Sequence, residues 1–339
     1  MRFWPLNFHC VGFGSINIDE FWEAPAEFFQ LIGISPGEEI VREVEWFNRY
    51  YPILKRLGTL KAIGPGGSAA NTIAALNRMG FTTGFFGAVG NDFHDKIDLE
   101  ELGLKDHLHI KHSDCPSGRC LALIDPIDSS RDRALVITPN ANDSVTASLL
   151  DRNYFIDTDW VHLTSFVSSG PLDAQRILSE NLSKRNRLSF DPGVIYCRLG
   201  IEPLKLILAR SQVLFVTYEE LFMLTGLNKV EESMSRLLSI GVQTIVLKMG
   251  PKGIRAIRSN DEWFQEAVPP IRIIDRTGAG DVVAAGFLAG LILSLPISEC
   301  LELAAQSASK SLESYGREAY PDRQYLENFL ANKNRSFCS

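Results

Sequence analysis

The sequence predicts a mainly parallel α/β sheet with helices on both faces and a small β-rich lid attached to it. Three observations carry this. Short apolar runs ending in Gly, Ser, Thr or Asp recur along the 339 residues. Segments of helical periodicity separate them, and two polar, turn-rich stretches interrupt the alternation.

In chain order, the first strand is expected in FHCVGFG (8–14). Residues 20–62 break the rhythm with a polar and aromatic segment, EFFQLIGISPGEEI, followed by mixed helical sequence. AANTIAALNRMG (69–80) has helical spacing, and GFFGAVG (84–90) reads as the next strand. Residues 107–138 form the second irregular stretch, in which CLALID and RALVIT read as strands joined across PIDSSRD. Alternation then resumes. Strands are expected in WVHLTSF (160–166), LSFDPG (188–193), VLFVTYEE (213–220) and TIVLKMG (244–250), with helices in 171–186 and 234–241. In IIDRTGAGDVVAAGFLAGLIL (273–293) an apolar strand is expected to run into Asp275, then a glycine turn, then a helix of small residues. The whole chain, 1–339, reads as one domain whose lid comprises segments of about 15–62 and 107–138. Ligands of open α/β sheets bind beyond the carboxyl ends of the strands, where such a lid could close.

Hydrophobic residues make up 45% and charged residues 22%, with a net charge of -7. Those values suit a globular enzyme and disfavour a nucleic-acid or anionic-membrane partner, both of which usually meet a basic surface. The six cysteines are scattered without paired CxxC spacing, which reads as reduced thiols. The N-terminus lacks the pattern of a signal peptide. The longest apolar stretch, Val282–Leu293, falls short of the about 20 residues that span a bilayer, so a cytoplasmic protein is expected. VGFGSIN (11–17) begins like a dinucleotide loop but has Asn17 at the third glycine position. The histidines, with His107, His109 and His112 clustered in the lid stretch, show no zinc spacing.

The strongest chemistry lies in residues 275–281. Small residues at Gly278, Ala279 and Gly280 let backbone N–H groups approach a ligand where a helix N-terminus adds its positive dipole. That suits charge developing on a transferring phosphoryl group. A carboxylate at Asp281 beside such a hole repels a simple anion but makes sense as a general base; the alternative is a helix cap. In GPGGSAANTIAALNRMG (64–80), Gly66, Gly67 and Asn71 fit a hydroxyl-rich ligand lying against backbone, the alternative being a helix start capped by Ser68.

Together these segments resemble the ribokinase-like (PfkB) family of carbohydrate and nucleoside kinases. DRTGAGD is similar to that family's C-terminal signature and GGSAANTIAALNRMG to its N-terminal one. GAVGNDFHDK, VHLTSF, SFDPG, TYEELFMLTG and LKMGPKG follow in family order. The resemblance covers about residues 8–330 and implies a three-layer α/β/α fold with a β-rich lid. It implies ATP and Mg2+ as phosphoryl donor and cofactor, a K+ site in some members, and a homodimer formed through the lid in others.

The resemblance also assigns roles. Asp281 would be the base, the amides of Gly278, Ala279 and Gly280 the anion hole, and Arg133 the lid arginine that reaches the phosphates. Asp19, Gly66, Gly67 and Asn71 would hold the sugar. Thr217, Glu220, Lys248, Gly250 and Gly253 fall at the nucleotide positions, Glu220 and Asp275 at those for Mg2+ and a monovalent cation. Four positions depart from the family pattern: Thr217 and Gly193 stand where Asn is common, and Lys248 and Arg276 where Thr is.

The segment between Asp19 and Gly66 resembles the adenosine-kinase-type branch. A nucleoside needs a stacking face, for which Phe166 and the aromatics near Phe21 and Trp22 are candidates, with core or lid packing as their alternative role. The expected activity is phosphorylation of a primary hydroxyl of a sugar or sugar-containing small molecule, with a nucleoside as the alternative acceptor. The departures also raise a reading from another class, a sugar- or nucleotide-binding sensor with little turnover.

Overall fold

The computed structural model describes residues 7–93, 99–103, 108–127 and 133–336; His107 lies outside them. Among these residues the strands are β1 (Phe8–Phe13), β2 (Asn17–Glu23), β3 (Glu39–Val41), β4 (Thr59–Gly66), β5 (Thr83–Gly90), β6 (His109–Ser113), β7 (Gly118–Ile124), β8 (Arg133–Thr138), β9 (Thr158–Thr164), β10 (Arg187–Asp191), β11 (Ser211–Thr217), β12 (Thr244–Lys248), β13 (Ile254–Arg258) and β14 (Asp261–Gln265). They form a nine-stranded sheet of order β14-β13-β12-β11-β10-β9-β1-β5-β6 and a five-stranded sheet of order β3-β8-β7-β2-β4. In the large sheet every pair from β12 to β6 is parallel, and β13 and β14 add an antiparallel margin.

Two-sided burial explains the continuous apolar runs of the parallel strands. Successive residues point to opposite faces. Cys10, Phe85, Trp160, Phe215 and Val246 enter one core, with the helices Ser68–Arg78, Ala279–Ile292 and Ile297–Ser311. Their neighbours Val11, Phe86, Val161, Leu214 and Ile245 enter the other, with Ser169–Asn181, Ile201–Arg210 and Val230–Ile240. The expected three-layer arrangement is therefore present.

The five-stranded sheet has a core of its own. Trp22, Leu121, Leu123 and Val136 pack on Phe28, Phe29 and Leu54 from the helices Ala26–Ile32 and Val44–Leu57. β7 and β8 pair antiparallel, as the CLALID and RALVIT segments predict.

Two expectations are corrected. Residues 109–113, read from sequence as part of the lid, form β6 at the edge of the large sheet, where they pair with β5. The lid's second segment begins at Gly118, and His109 and His112 lie on the body. The run into Asp275 is not a strand. Pro269 and Pro270 lack N–H groups for a ladder, Ile271 is 92% exposed, and the segment is held by an Ile274 N–H bond to the Leu312 carbonyl at 2.8 Å.

Candidate active site

Beyond the carboxyl ends of β1 and β9–β12, residues far apart in sequence converge. The helix Ala279–Ile292 starts there. Its flanking Gly278 is left-handed, with φ of 76°, and a Cβ at that position would lie 2.7 Å from Tyr320 Oη and 3.2 Å from Asn71 Nδ2. Only glycine meets both demands. From Val282 to Gly290 every residue of this helix is buried, which anchors the helix, while its N-terminal turn, residues 278–281, is only partly buried. The first-turn N–H groups of a helix lack intrahelical acceptors and favour negative charge; that of Ala279 makes a long, 3.4 Å bond to the Arg276 carbonyl.

Asp281 occupies the first turn of this helix. It is not a cap: its Oδ2 accepts a bond from Asn71 Nδ2 at 2.8 Å, and its carbonyl accepts one from Thr72 Oγ1 at 3.1 Å. Burial pushes its carboxyl up to about 7. The Asn71 bond, Lys248 and Arg133 oppose that rise, and Asp191 adds to it. Asn71 and Thr72 project from the helix Ser68–Arg78, whose flanking residue is Gly67 with φ of 98°. No Ser68 side-chain cap is formed.

Asp19 lies on β2 of the lid sheet, opposite Gly64 on β4. A Cβ on Gly66 would fall 1.8 Å from Asp19 Oδ1, so that glycine makes room for the carboxylate. Asp19 is 6% exposed, and its Oδ1 is buried without a hydrogen-bond partner. Burial raises its carboxyl to about 7 as well, Arg317 opposing. A buried, unsatisfied acceptor is costly; a substrate hydroxyl can supply the missing donor. Arg133 opens β8 and lies close enough to Asp19, Asp275 and Asp281 to favour the charged form of all three.

The nucleotide positions gather on the adjoining strand ends. Thr217 caps the helix Tyr218–Thr225 in a capping box: its hydroxyl accepts the Glu220 N–H at 3.2 Å, and Glu220 Oε2 accepts the Thr217 N–H at 2.8 Å. Lys248 is neither solvated nor loose. Its ammonium donates to Asp191 Oδ2 at 2.6 Å and lies 3.5 Å from where a Cβ on Gly280 would be, which places it beside the N-terminus of the helix Ala279–Ile292. Asp191 and Glu220 together hold its pKa above the ordinary lysine value despite burial.

Other expected residues serve the fold. Phe166 is fully buried in the second core, edge-on to Phe13 at 5.7 Å, so it offers no face to a nucleobase. Phe21 packs near Tyr315 and Trp22 lies in the lid core. Gly253 abuts β14, where a Cβ would meet the Gln265 carbonyl at 2.1 Å, whereas Gly250 faces open space. Asp275 Oδ1 accepts the Thr277 N–H at 2.8 Å and Oδ2 that of Gly316 at 3.4 Å. Among the described residues no group of three or more His, Cys, Asp or Glu side chains could hold a metal ion by itself. A hydrated Mg2+ needs only one or two carboxylates besides substrate phosphates, and Glu220, with Oε1 outside the capping box, fits that role.

Sequence reasoning missed Arg317, Tyr320 and the pairing role of Asp191. Arg317 and Tyr320 sit in a segment without periodicity, and the contact between Arg317 and Asn71 spans 246 positions.

No described helix is long and apolar enough to cross a membrane. A model of the pfkB family carbohydrate kinases matches residues 39–323. The chain is 29% identical over 250 residues to an uncharacterized sugar kinase of Archaeoglobus fulgidus, covering 73% of this chain and 98% of that one. In fold it is similar to the adenosine kinase of Sinorhizobium meliloti, with a TM-score of 0.81, 17% identity and coverage of 96% and 99%. It is also similar to the Arabidopsis thaliana ribokinase solved with ribose and ATP, with a TM-score of 0.75, 21% identity and coverage of 96% and 99%.

Proposed function

This chain belongs to the pfkB family of carbohydrate kinases, which are phosphotransferases acting on hydroxyl groups, and from that premise we propose that it transfers the γ-phosphoryl group of ATP to a primary hydroxyl of a sugar or sugar-containing small molecule. The observation that carries this reading is Asp281, a partly buried carboxylate at a helix N-terminus that accepts from Asn71 Nδ2 at 2.8 Å and whose pKa desolvation raises to about 7. A base poised near the working pH combines a useful ionised fraction with enough basicity to take a hydroxyl proton.

Asp19, with Gly66, Gly67 and Asn71, holds the acceptor's hydroxyls, and Asp19 Oδ1 accepts from one of them. Asp281 takes the proton of the reacting hydroxyl. Its oxygen then forms the new bond to the γ-phosphorus as the bond to the bridging oxygen breaks and ADP leaves. The amides of residues 278–280, Lys248 and Arg133 meet the negative charge on the moving group. Glu220 would hold a hydrated Mg2+ against the nucleotide phosphates, and that ion supplies further charge neutralisation there. Closure of the lid keeps water from competing as acceptor.

The buried Phe166 removes the expected stacking face and so favours a sugar over a nucleoside. The test is ADP release across pentoses, hexoses and nucleosides, with mass-spectrometric detection of the product. One phosphorylated sugar is expected, and Asp281→Asn should lower its formation by about 10²–10⁴-fold. A phosphorylated nucleoside alone would move the acceptor to the alternative class. Tight sugar binding without any phosphorylated product would replace the kinase by a sensor.

A further inference from the structure

We propose that Arg317 is a positioning residue of this site, holding the Asn71 amide in the one orientation that donates to Asp281. Arg317 lies in the turn after the helix Ile297–Ser311 and is 5% exposed. Its Nε donates to Asn71 Oδ1 at 3.0 Å and its Nη1 to Glu101 Oε2 at 3.0 Å. Its own carbonyl accepts from Arg78 Nη1 at 3.0 Å, so backbone and side chain are both tied to the region of the helix Ser68–Arg78.

A carboxamide can turn over with little change of shape, exchanging its donor and acceptor ends. Here the two orientations differ sharply. A guanidinium only donates. Turning the Asn71 amide over would set its NH2 against Arg317 Nε–H and its oxygen against the Asp281 carboxylate, two like-polarity contacts in place of two bonds. Asp281 alone imposes this orientation only while it is ionised. Arg317 imposes it in both protonation states, so the donor is in place before the carboxyl ionises.

Glu101 balances the arginine's charge, and the turn Leu99–Leu102 that carries it is held in turn by Asn77 Nδ2, which donates to the Glu101 carbonyl at 3.1 Å. Arg317 Nη2, by contrast, is buried without a hydrogen-bond partner. The groups that face Asp281 are Asn71 from its helix, Lys248 from β12, Asp191 from β10, Arg133 from β8, Asp19 from β2, and Tyr320 from the turn that carries Arg317. The inference rests on the kinase reading only for what Asp281 does to substrate.

The decisive variant is Arg317→Lys, which keeps the charge beside Glu101 and removes the nitrogen bonded to Asn71. Carbon-13 NMR of aspartate-labelled full-length protein, with the Asp281 signal assigned by Asp281→Asn, reads the carboxyl without any substrate. Asp281 should titrate about half a unit or more higher in Arg317→Lys than in wild type. Phosphotransfer to the acceptor identified by the screen should fall about fivefold at pH 7 and recover toward wild type at pH 9. Arg317→Lys combined with Asn71→Ser should be no worse than Asn71→Ser alone. An unchanged Asp281 titration, or losses that add in the double variant, would overturn the proposal. If Arg317→Lys does not fold, hydrogen exchange of the Asn71 side-chain NH2 in wild type decides: slow exchange below pH 7 supports the lock, and rapid exchange there refutes it. If wild type phosphorylates no acceptor, the kinase reading fails while the titration still decides the role of Arg317.

Discussion

The two sheets solve different problems with different cores. In the large sheet both faces are buried, and the strand ends deliver Asp191, Thr217 and Lys248 to one rim, where the helix Ala279–Ile292 presents Asp281. The lid is one-sided. Its core of Trp22, Phe28, Leu54 and Leu123 is separate, and its edge strand β4 leaves Leu60 and Ile63 exposed. Yet the lid holds Asp19 and Arg133, which the proposed reaction needs. The residues proposed for the reaction thus come from both units, Asp19 and Arg133 from the lid sheet and Asn71 and Asp281 from the body, and the seam between them combines apolar contact, with Ile18 of β2 buried in the body's core, and polar bonds. There Arg119 of β7 bonds Glu20 of β2 at 2.9 Å and Asp92 of the body at 3.1 Å, and Glu20 also accepts from Trp22 and Tyr51.

The largest expected effect belongs to the body. Lys248→Met leaves Asp191 charged and buried without its partner, and unfolding by urea should show a loss of about 3–5 kcal/mol. Adding Asp191→Asn should restore most of it. An unchanged midpoint in the single variant would mean that the pair is not held as described.

The lid should respond locally. Phe28→Ala opens a cavity in its core, worth about 3 kcal/mol or more. Hydrogen exchange should quicken in β2, β7 and β8 while β9–β11 keep their protection. Uniform acceleration in both sheets would show one cooperative unit instead of two.

A smaller effect separates Asp281 from ordinary surface acids. Desolvation raises its carboxyl from the ordinary aspartate range to about 7 in the folded chain. The native state therefore binds this proton more tightly than the unfolded state. The stabilisation is complete below about pH 4 and is lost as pH rises through about 7. At about 1.4 kcal/mol per unit the ceiling is roughly 4 kcal/mol. Asn in its place loses the charge-assisted bond from Asn71, so about 2 kcal/mol of net gain is expected at pH 8. Thermal melts at pH 5 and pH 8 should show Asp281→Asn flatter than wild type. Parallel curves would contradict the burial argument. Least of all, Ile63→Thr on the exposed edge of β4 should change stability by less than about 0.5 kcal/mol; a larger loss in calorimetry would mean that the edge is covered.

How much of this was legible before folding varies by element. Short continuous apolar runs located the six parallel strands named in the sequence analysis, because burial on both faces leaves a continuous hydrophobic signature. The run before Asp275 has the same composition, yet its prolines and its bonds to the Leu312 carbonyl keep it out of the sheet. β6 has the opposite history: an edge strand with exposed His109, Lys111 and His112 carries little apolar signal, so its turn-rich surroundings assigned it to the lid. Phe166 shows the limit for aromatics, since a ring in a loop after a strand reads alike whether it faces ligand or core.

The residues by themselves determined the order of the six parallel strands, the glycine-flanked helix that carries Asp281, and the resemblance that gives these motifs their chemistry. Each depends on local propensity and spacing along a few dozen positions. Only the tertiary structure decided that Lys248 is spoken for by Asp191, that Phe166 is core, and that Arg317 reaches Asn71 across 246 positions. Hydrogen bonds and desolvation act over a few ångströms in space whatever the separation in sequence. The ionisation of Asp281 is therefore a property of its folded surroundings and not of its motif.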